Sequence, residues 1–158
     1  MIITITTDAA WHSKHRIGAY AFWITCDQGR FMHSGVLKEK VRSADEAEMQ
    51  CIVNAVYCIR KVVGNVKVTK VVINTDSMNS IHVFTCDTKS IDQYGLHWAK
   101  GLRQKLRGML KKRGFSKEIF EFRHIKAHTD TKSRRSWVND WCDKKAKESM
   151  WAFINNLP

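Results

Sequence analysis

Apolar residues alternate with threonine over IITITTD, residues 2–8, the period of a half-buried strand that stops at Asp8. A short loop, AAWHSKHRI, leads into GAYAFWIT and RFMHSGVLK, two strand-like runs joined by a turn at CDQG, which predicts an antiparallel meander. The period then turns helical. In SADEAEMQCIVNAVYCIRKVV the residues Ala47, Cys51, Ala55, Cys58 and Val62 recur at helical spacing, behind Ser43 as a cap and acids in the first turn, up to Gly64-Asn65. VTKVVINTD is a fourth strand, and a short helical piece through SMNSIHVF follows. A helix-like basic segment over about 95–113, a fifth strand in EIFEFRHIKAH and a last helix over about 136–153 complete the chain. That last helix is marked by Trp137, Trp141, Cys142, Ala146, Met150 and Phe153.

Three consecutive strands pair as neighbours, whereas strand, long helix and strand require a right-handed crossover to a parallel position. The expectation is an α/β fold: one mixed five-stranded sheet, three antiparallel strands and then two parallel ones, flanked by helices. With neither an internal repeat nor a linker, residues 1–158 read as a single domain.

Charge changes the picture more than composition does. Hydrophobic residues at 44% and charged ones at 27%, with a single proline, describe an ordinary globular chain. No apolar run approaches the roughly 20 residues of a membrane span, and MIITITTDAA lacks the features of a signal peptide, so no membrane partner and a cytoplasmic location are expected. Five cysteines without a C-x-x-C pair suggest buried free thiols rather than a disulfide framework or a zinc site. Twenty-seven Lys and Arg against fifteen Asp and Glu leave a formal charge of +12. Between Lys100 and Lys117 lie eight basic residues and no acid, and Lys132, Arg134 and Arg135 form a second patch. Phosphate backbones are the partner such density favours, and a solvated helix face is the bland alternative.

Four acids occupy positions that packing would not choose. Asp8 ends the first strand and Asp76 the fourth; Glu48 lies one turn into an apolar helix, and Asp143 follows Cys142, one turn after Asn139. Each has an ordinary reading: Asp8 in a turn, Asp76 as a helix cap, Glu48 beside a helix dipole, Asp143 as an exposed helical acid. If the first and fourth strands are parallel neighbours, however, the two aspartates meet at the carboxyl edge of the sheet, where open α/β sheets place ligands. Carboxylates so close repel unless cations hold them. An all-oxygen set suits two Mg²⁺ ions, or Mn²⁺, rather than zinc.

The joint order of these pieces resembles the type 1 ribonuclease H family over nearly the whole chain. TITTDAA carries Asp8, EAEMQCIVNAV carries Glu48, INTDS carries Asp76, and HIKAH followed by VNDWCDKKA carries His128 and Asp143. The resemblance implies a ribonuclease H-like fold and a metal-dependent endonuclease that hydrolyses the RNA strand of an RNA–DNA hybrid, leaving 5′-phosphate ends. By that analogy Asp8 bridges two Mg²⁺ ions, Glu48 and Asp76 hold one, Asp143 completes the other, and His128 is the mobile histidine that assists proton transfer or product release. The basic segment would grip the DNA strand through Lys100, Arg103, Lys105, Arg107, Lys111 and Lys112, with Trp98 against the sugar backbone. Arg42, Ser43, Asn79 and Asn139 complete the expected nucleic-acid contacts of a monomer.

Two positions depart from the pattern. Ala44 and Met78 stand where the family often has the Asn and Gln that read the minor groove and the 2′-hydroxyl, and neither side chain forms those hydrogen bonds. The alternatives are a ribonuclease H-fold nuclease for branched DNA or double-stranded RNA, and a non-catalytic nucleic-acid-binding module.

Overall fold

The computed structural model describes residues 1–126 and 134–158, with the side chains of all of these except 134–136. β1 (Ile2–His12), β2 (Ile17–Cys26) and β3 (Gly29–Val36) pair antiparallel, and β4 (Lys70–Thr75) and β5 (Phe120–His124) extend the sheet in parallel, in the order β3-β2-β1-β4-β5. The helices are α1 (Ala44–Val63), α2 (Met78–Thr85), α3 (Thr88–Gln93), α4 (Lys100–Lys112) and α5 (Arg134–Asn155). This is the expected mixed sheet. α3, capped by Asp87, is an addition: six residues are too few to show a helical period.

Alternation along the strands builds two different faces. Ile3, Ile5, Phe22, Ile24, Val71 and Ile73 pack against Ile52, Val56 and Ile59 of α1 and Leu106 and Leu110 of α4. On the other face Ala10, Ala19 and Ala21 are small, and α5 seats Cys142, Ala146 and Met150 there beside Trp23. Trp137 and Trp141 meet the Trp23 ring edge to face at 5.4 and 5.2 Å.

β1 runs four residues beyond the predicted stop. Ala9 to His12 remain paired with β2, ending at His12 opposite Ile17, while the parallel pairing with β4 ends at Thr6 opposite Asn74. Asp8 therefore stands on a central strand just past the last residue that pairs with β4.

The entry into α1 is fixed from both sides. Ser43 Oγ accepts from Glu46 N at 3.1 Å, and Glu46 Oε2 accepts from Arg42 N at 2.8 Å, close to a capping box. The preceding turn is held on β2, where Val41 N donates to Arg16 O at 2.8 Å and Leu37 N to Gly18 O at 2.9 Å. Gly18 permits that approach: a Cβ there would come within 2.8 Å of both Leu37 Cδ1 and Val41 Cγ2. All five cysteines are free thiols, and no described helix is long and apolar enough to cross a membrane.

Candidate active site

Parallel pairing of β1 and β4 brings Asp8, just past the last pair, beside Asp76 at the end of β4, and the first turn and a half of α1 carries Glu48 against them. Carboxylate oxygens of the three lie within 4.8 Å of one another. Asp8 is 5% exposed and Glu48 9%, while Asp76 is half-buried at the mouth. The helix cap that Asp76 could have supplied falls to Ser77, whose side chain accepts from Ser80 N at 3.1 Å. Ser77 rather than Asp76 therefore caps α2, which the sequence alone left open.

Backbone geometry fixes two of the acids together. Ala9 N donates to Asp8 Oδ1 at 2.9 Å and to Glu48 Oε1 at 3.0 Å. Glu48 Oε2 is buried and accepts from no described group. Burial, and after it the charge of Asp76, push the Asp8 carboxyl up to about 7. Glu48 is pushed well above the carboxylate range by burial first and then by Asp8 and Asp76. Such a cluster lowers its energy by protonation or by taking a cation. An orphaned buried oxygen in an all-carboxylate set fits a hard divalent cation.

Asp143 approaches from the opposite face of the sheet, on α5. It is not one of the group within 4.8 Å, yet its charge also raises Asp8. Its Oδ2 accepts from Lys147 Nζ at 2.9 Å, one turn along, and this hydrogen bond raises the lysine pKa. Two buried thiols hold β1 between these acids: Cys51 Sγ donates to Asp8 O at 3.4 Å and Cys142 Sγ to Thr6 O at 3.6 Å. Burial pushes both thiols upward, which keeps them neutral donors.

The candidate nucleic-acid contacts do not all converge. Arg42 lies over the Trp98 ring at 5.3 Å, beside Ser43, and Asn79 Nδ2 donates to Asp45 Oδ2 at 2.9 Å, so the starts of α1 and α2 form one rim with Trp98. Asn139 is buried, with Oδ1 lacking a donor among the described residues. Lys100 is paired with Asp92 at 2.8 Å. The remaining cations of α4 fan around the helix. Lys105 and Lys112 line grooves that share Tyr57 of α1, whereas Arg107 lines a cleft against β5. Arg103 is buried and so stands apart from any exposed gripping row. Arg60 Nη2 donates to Arg113 O at 3.1 Å, so α4 ends beside the far end of α1, about 18 Å of helix rise from Glu48. His128 and Lys132 lie outside the described residues, as do the side chains of Arg134 and Arg135.

Two neighbours of the site were missed in the sequence. Lys147 stands four residues after Asp143, a spacing whose helical pairing is readable in advance. Asp45, the partner of Asn79, carried no such signal, because it depends on α1 and α2 meeting.

Comparison with known proteins places these features in a wider set. Residues 2–150 match the RNase H family. LC11-RNase H1, solved in complex with an RNA/DNA hybrid, is 16% identical with a TM-score of 0.67, over 96% of this chain and 99% of that one. RNase H1 from the halophilic archaeon Halobacterium salinarum is 13% identical with a TM-score of 0.61, over 96% and 99%. The protease-reverse transcriptase of prototype foamy virus aligns at 16% identity and a TM-score of 0.65, over 95% of this chain and 20% of that one. No curated protein matches the chain.

Proposed function

This chain belongs to the ribonuclease H family of enzymes, and from that premise we propose that it cleaves the RNA strand of RNA–DNA hybrids with two divalent cations, leaving 5′-phosphate ends. The observation that carries the proposal is the meeting of buried Asp8 and Glu48 with half-buried Asp76, Glu48 Oε2 having no donor among the described residues. Asp8, Glu48 and Asp76 would hold one cation, and Asp8 with Asp143 the other. Mg²⁺ or Mn²⁺ would supply activation of the attacking water and stabilisation of the leaving oxygen.

The protein's own groups do the rest. Ala9 N–H orients Asp8 and Glu48 toward each other, and Lys147 pairs with Asp143 and covers one of its oxygens. The Arg42–Trp98 pair and the Ser43 end of α1 border the acids and offer a cation and a helix N-terminus to phosphate. A basic surface around an acidic pocket holds a polyanion at its rim without neutralising the acids that hold the metal.

A second reading, action on branched DNA or double-stranded RNA, is favoured by Met78, which presents an exposed apolar side chain at the start of α2. The test compares cleavage of an RNA–DNA hybrid, double-stranded RNA, duplex DNA and a four-way junction, with Mg²⁺ or Mn²⁺, by the wild type and by Asp76→Asn. Hybrid cleavage that the substitution abolishes, with binding retained, is the expected result. A cut junction beside intact hybrid selects the second reading, and intact substrates throughout sink both.

A further inference from the structure

The basic helix α4 buries one of its arginines with two guanidinium nitrogens unpartnered among the described residues. Arg103 is 7% exposed, and its Nε and Nη1 have no acceptor among the described residues. Burial, and then the like charge of Arg107 one turn on, push its pKa below the usual guanidinium range. Asp87 offsets part of this charge, but its carboxylate is engaged as the cap of α3, accepting from Ser90 N at 2.7 Å. A buried guanidinium with unmade hydrogen bonds is costly, and an anion that reached it would recover them.

Beside it lies a cleft that such an anion could enter. The space between α2, α4 and the start of β5 measures about 280 Å³ and is lined by Arg103, Arg107, Lys117, Phe84 and Phe122. Phe84 and Phe122 stack at 6.0 Å between ring centroids and leave an aromatic wall partly open to the cleft. The acid on the rim, Glu118, accepts from Ser116, so three cations face one carboxylate that is already engaged. The cleft is distinct from the carboxylate cluster, because Phe84 lies near the far end of α2, about 9 Å of helix rise from Met78.

We propose that this cleft is a second ligand site, taking a phosphate monoester that carries an aromatic ring, such as a mononucleotide. The phosphate lies against Arg103, Arg107 and Lys117, and the ring against Phe84 and Phe122. Guanidinium groups match phosphate oxygens in pairs, and a planar ring stacks on phenylalanine without regard to its hydrogen-bonding edge. The site would therefore tolerate different bases while requiring the phosphate.

The test titrates uridine 5′-monophosphate, uridine and inorganic phosphate into the metal-free full chain, in EDTA at low ionic strength, by calorimetry. Without divalent cations the carboxylate cluster repels phosphate, and the arginine variants below separate binding in the cleft from binding at the Arg42 and Ser43 rim, whether or not the chain is a nuclease. The nucleotide is expected to bind at least tenfold tighter than uridine or phosphate alone. Arg103→Met, which keeps the stem and removes the unpartnered donors, is expected to weaken it at least tenfold with no loss of melting temperature. Arg107→Gln, at an exposed position, is expected to weaken it severalfold and carries the test should Arg103→Met fail to fold. Nucleotide binding no tighter than that of phosphate, or unchanged in both variants, overturns the proposal. Binding lost in Asp76→Asn but kept in the arginine variants overturns it as well, by locating the nucleotide at the acids.

Discussion

Asp8 and Glu48, forty residues apart in sequence, share one backbone donor: Ala9 N–H lies 2.9 Å from Asp8 Oδ1 and 3.0 Å from Glu48 Oε1. Both carboxyls are raised above the usual range by burial first, Asp8 next by the charge of Asp76 and Glu48 next by that of Asp8, and this makes the metal-free protein sensitive to pH.

The Asp8 carboxyl titrates at about 7 in the fold against 3.8 for an exposed aspartate. The folded chain thus keeps a proton that the unfolded chain releases, so this group's contribution to stability declines as pH rises from about 4 to about 7 and is flat above that. A loss on the order of 2 to 4 kcal/mol is expected. Urea denaturation in EDTA at pH 5 and pH 8 measures it, with Asp8→Asn as the reference that removes the background of the formal +12 charge. Magnesium at pH 8 should restore stability to the wild type and do less for Asp8→Asn. A pH dependence identical in the two proteins would contradict the assignment.

Lys147 holds Asp143 through an ion pair at 2.9 Å, with the two side chains 53% and 25% exposed. A pair so open to water is worth at most about 1 kcal/mol, so Lys147→Ala should barely change stability. The ammonium nevertheless occupies an oxygen that a cation would use. Calorimetric titration with Mn²⁺ should find severalfold tighter binding in Lys147→Ala, and weaker binding there would show that the lysine positions Asp143 instead.

Gly18 sets how closely the turn before α1 approaches β2. A methyl group there would press on Leu37 and Val41 at 2.8 Å and on Ala47 at 3.3 Å. Overpacking of this kind costs about 1 to 3 kcal/mol. Gly18→Ala should lower the denaturation midpoint accordingly and reduce cleavage beyond what stability explains, because the displaced turn carries Glu48 with it.

Met78 begins α2 immediately after Asp76 and Ser77 and is exposed. Met78→Gln adds a donor and an acceptor able to reach a minor-groove edge or a 2′-hydroxyl. The ratio of hybrid to duplex-DNA binding should rise severalfold. If it is unchanged, position 78 lies outside the path of the substrate.

Much of the fold was legible because periodicity is a local property. The alternation in IITITTD, the run from Val71 to Ile73 and the helical spacing behind Ser43 each matched an observed element. Element order then implied the parallel neighbours β1 and β4, and with them the meeting of Asp8 and Asp76. The continuation of β1 to His12 was not legible, since it depends on pairing with β2 after β4 has ended.

The side-chain chemistry divides along the same line. Residue types and order along the chain were enough to select the four acids and the basic helix. Tertiary structure alone decided that Glu48 Oε2 would lack a donor among the described residues, that Asn79 would meet Asp45, and that the cations of α4 would fan apart with Arg103 inside. The reason is physical: burial and partner geometry are set by which distant elements meet, and a one-dimensional pattern records only which face of its own element a residue occupies.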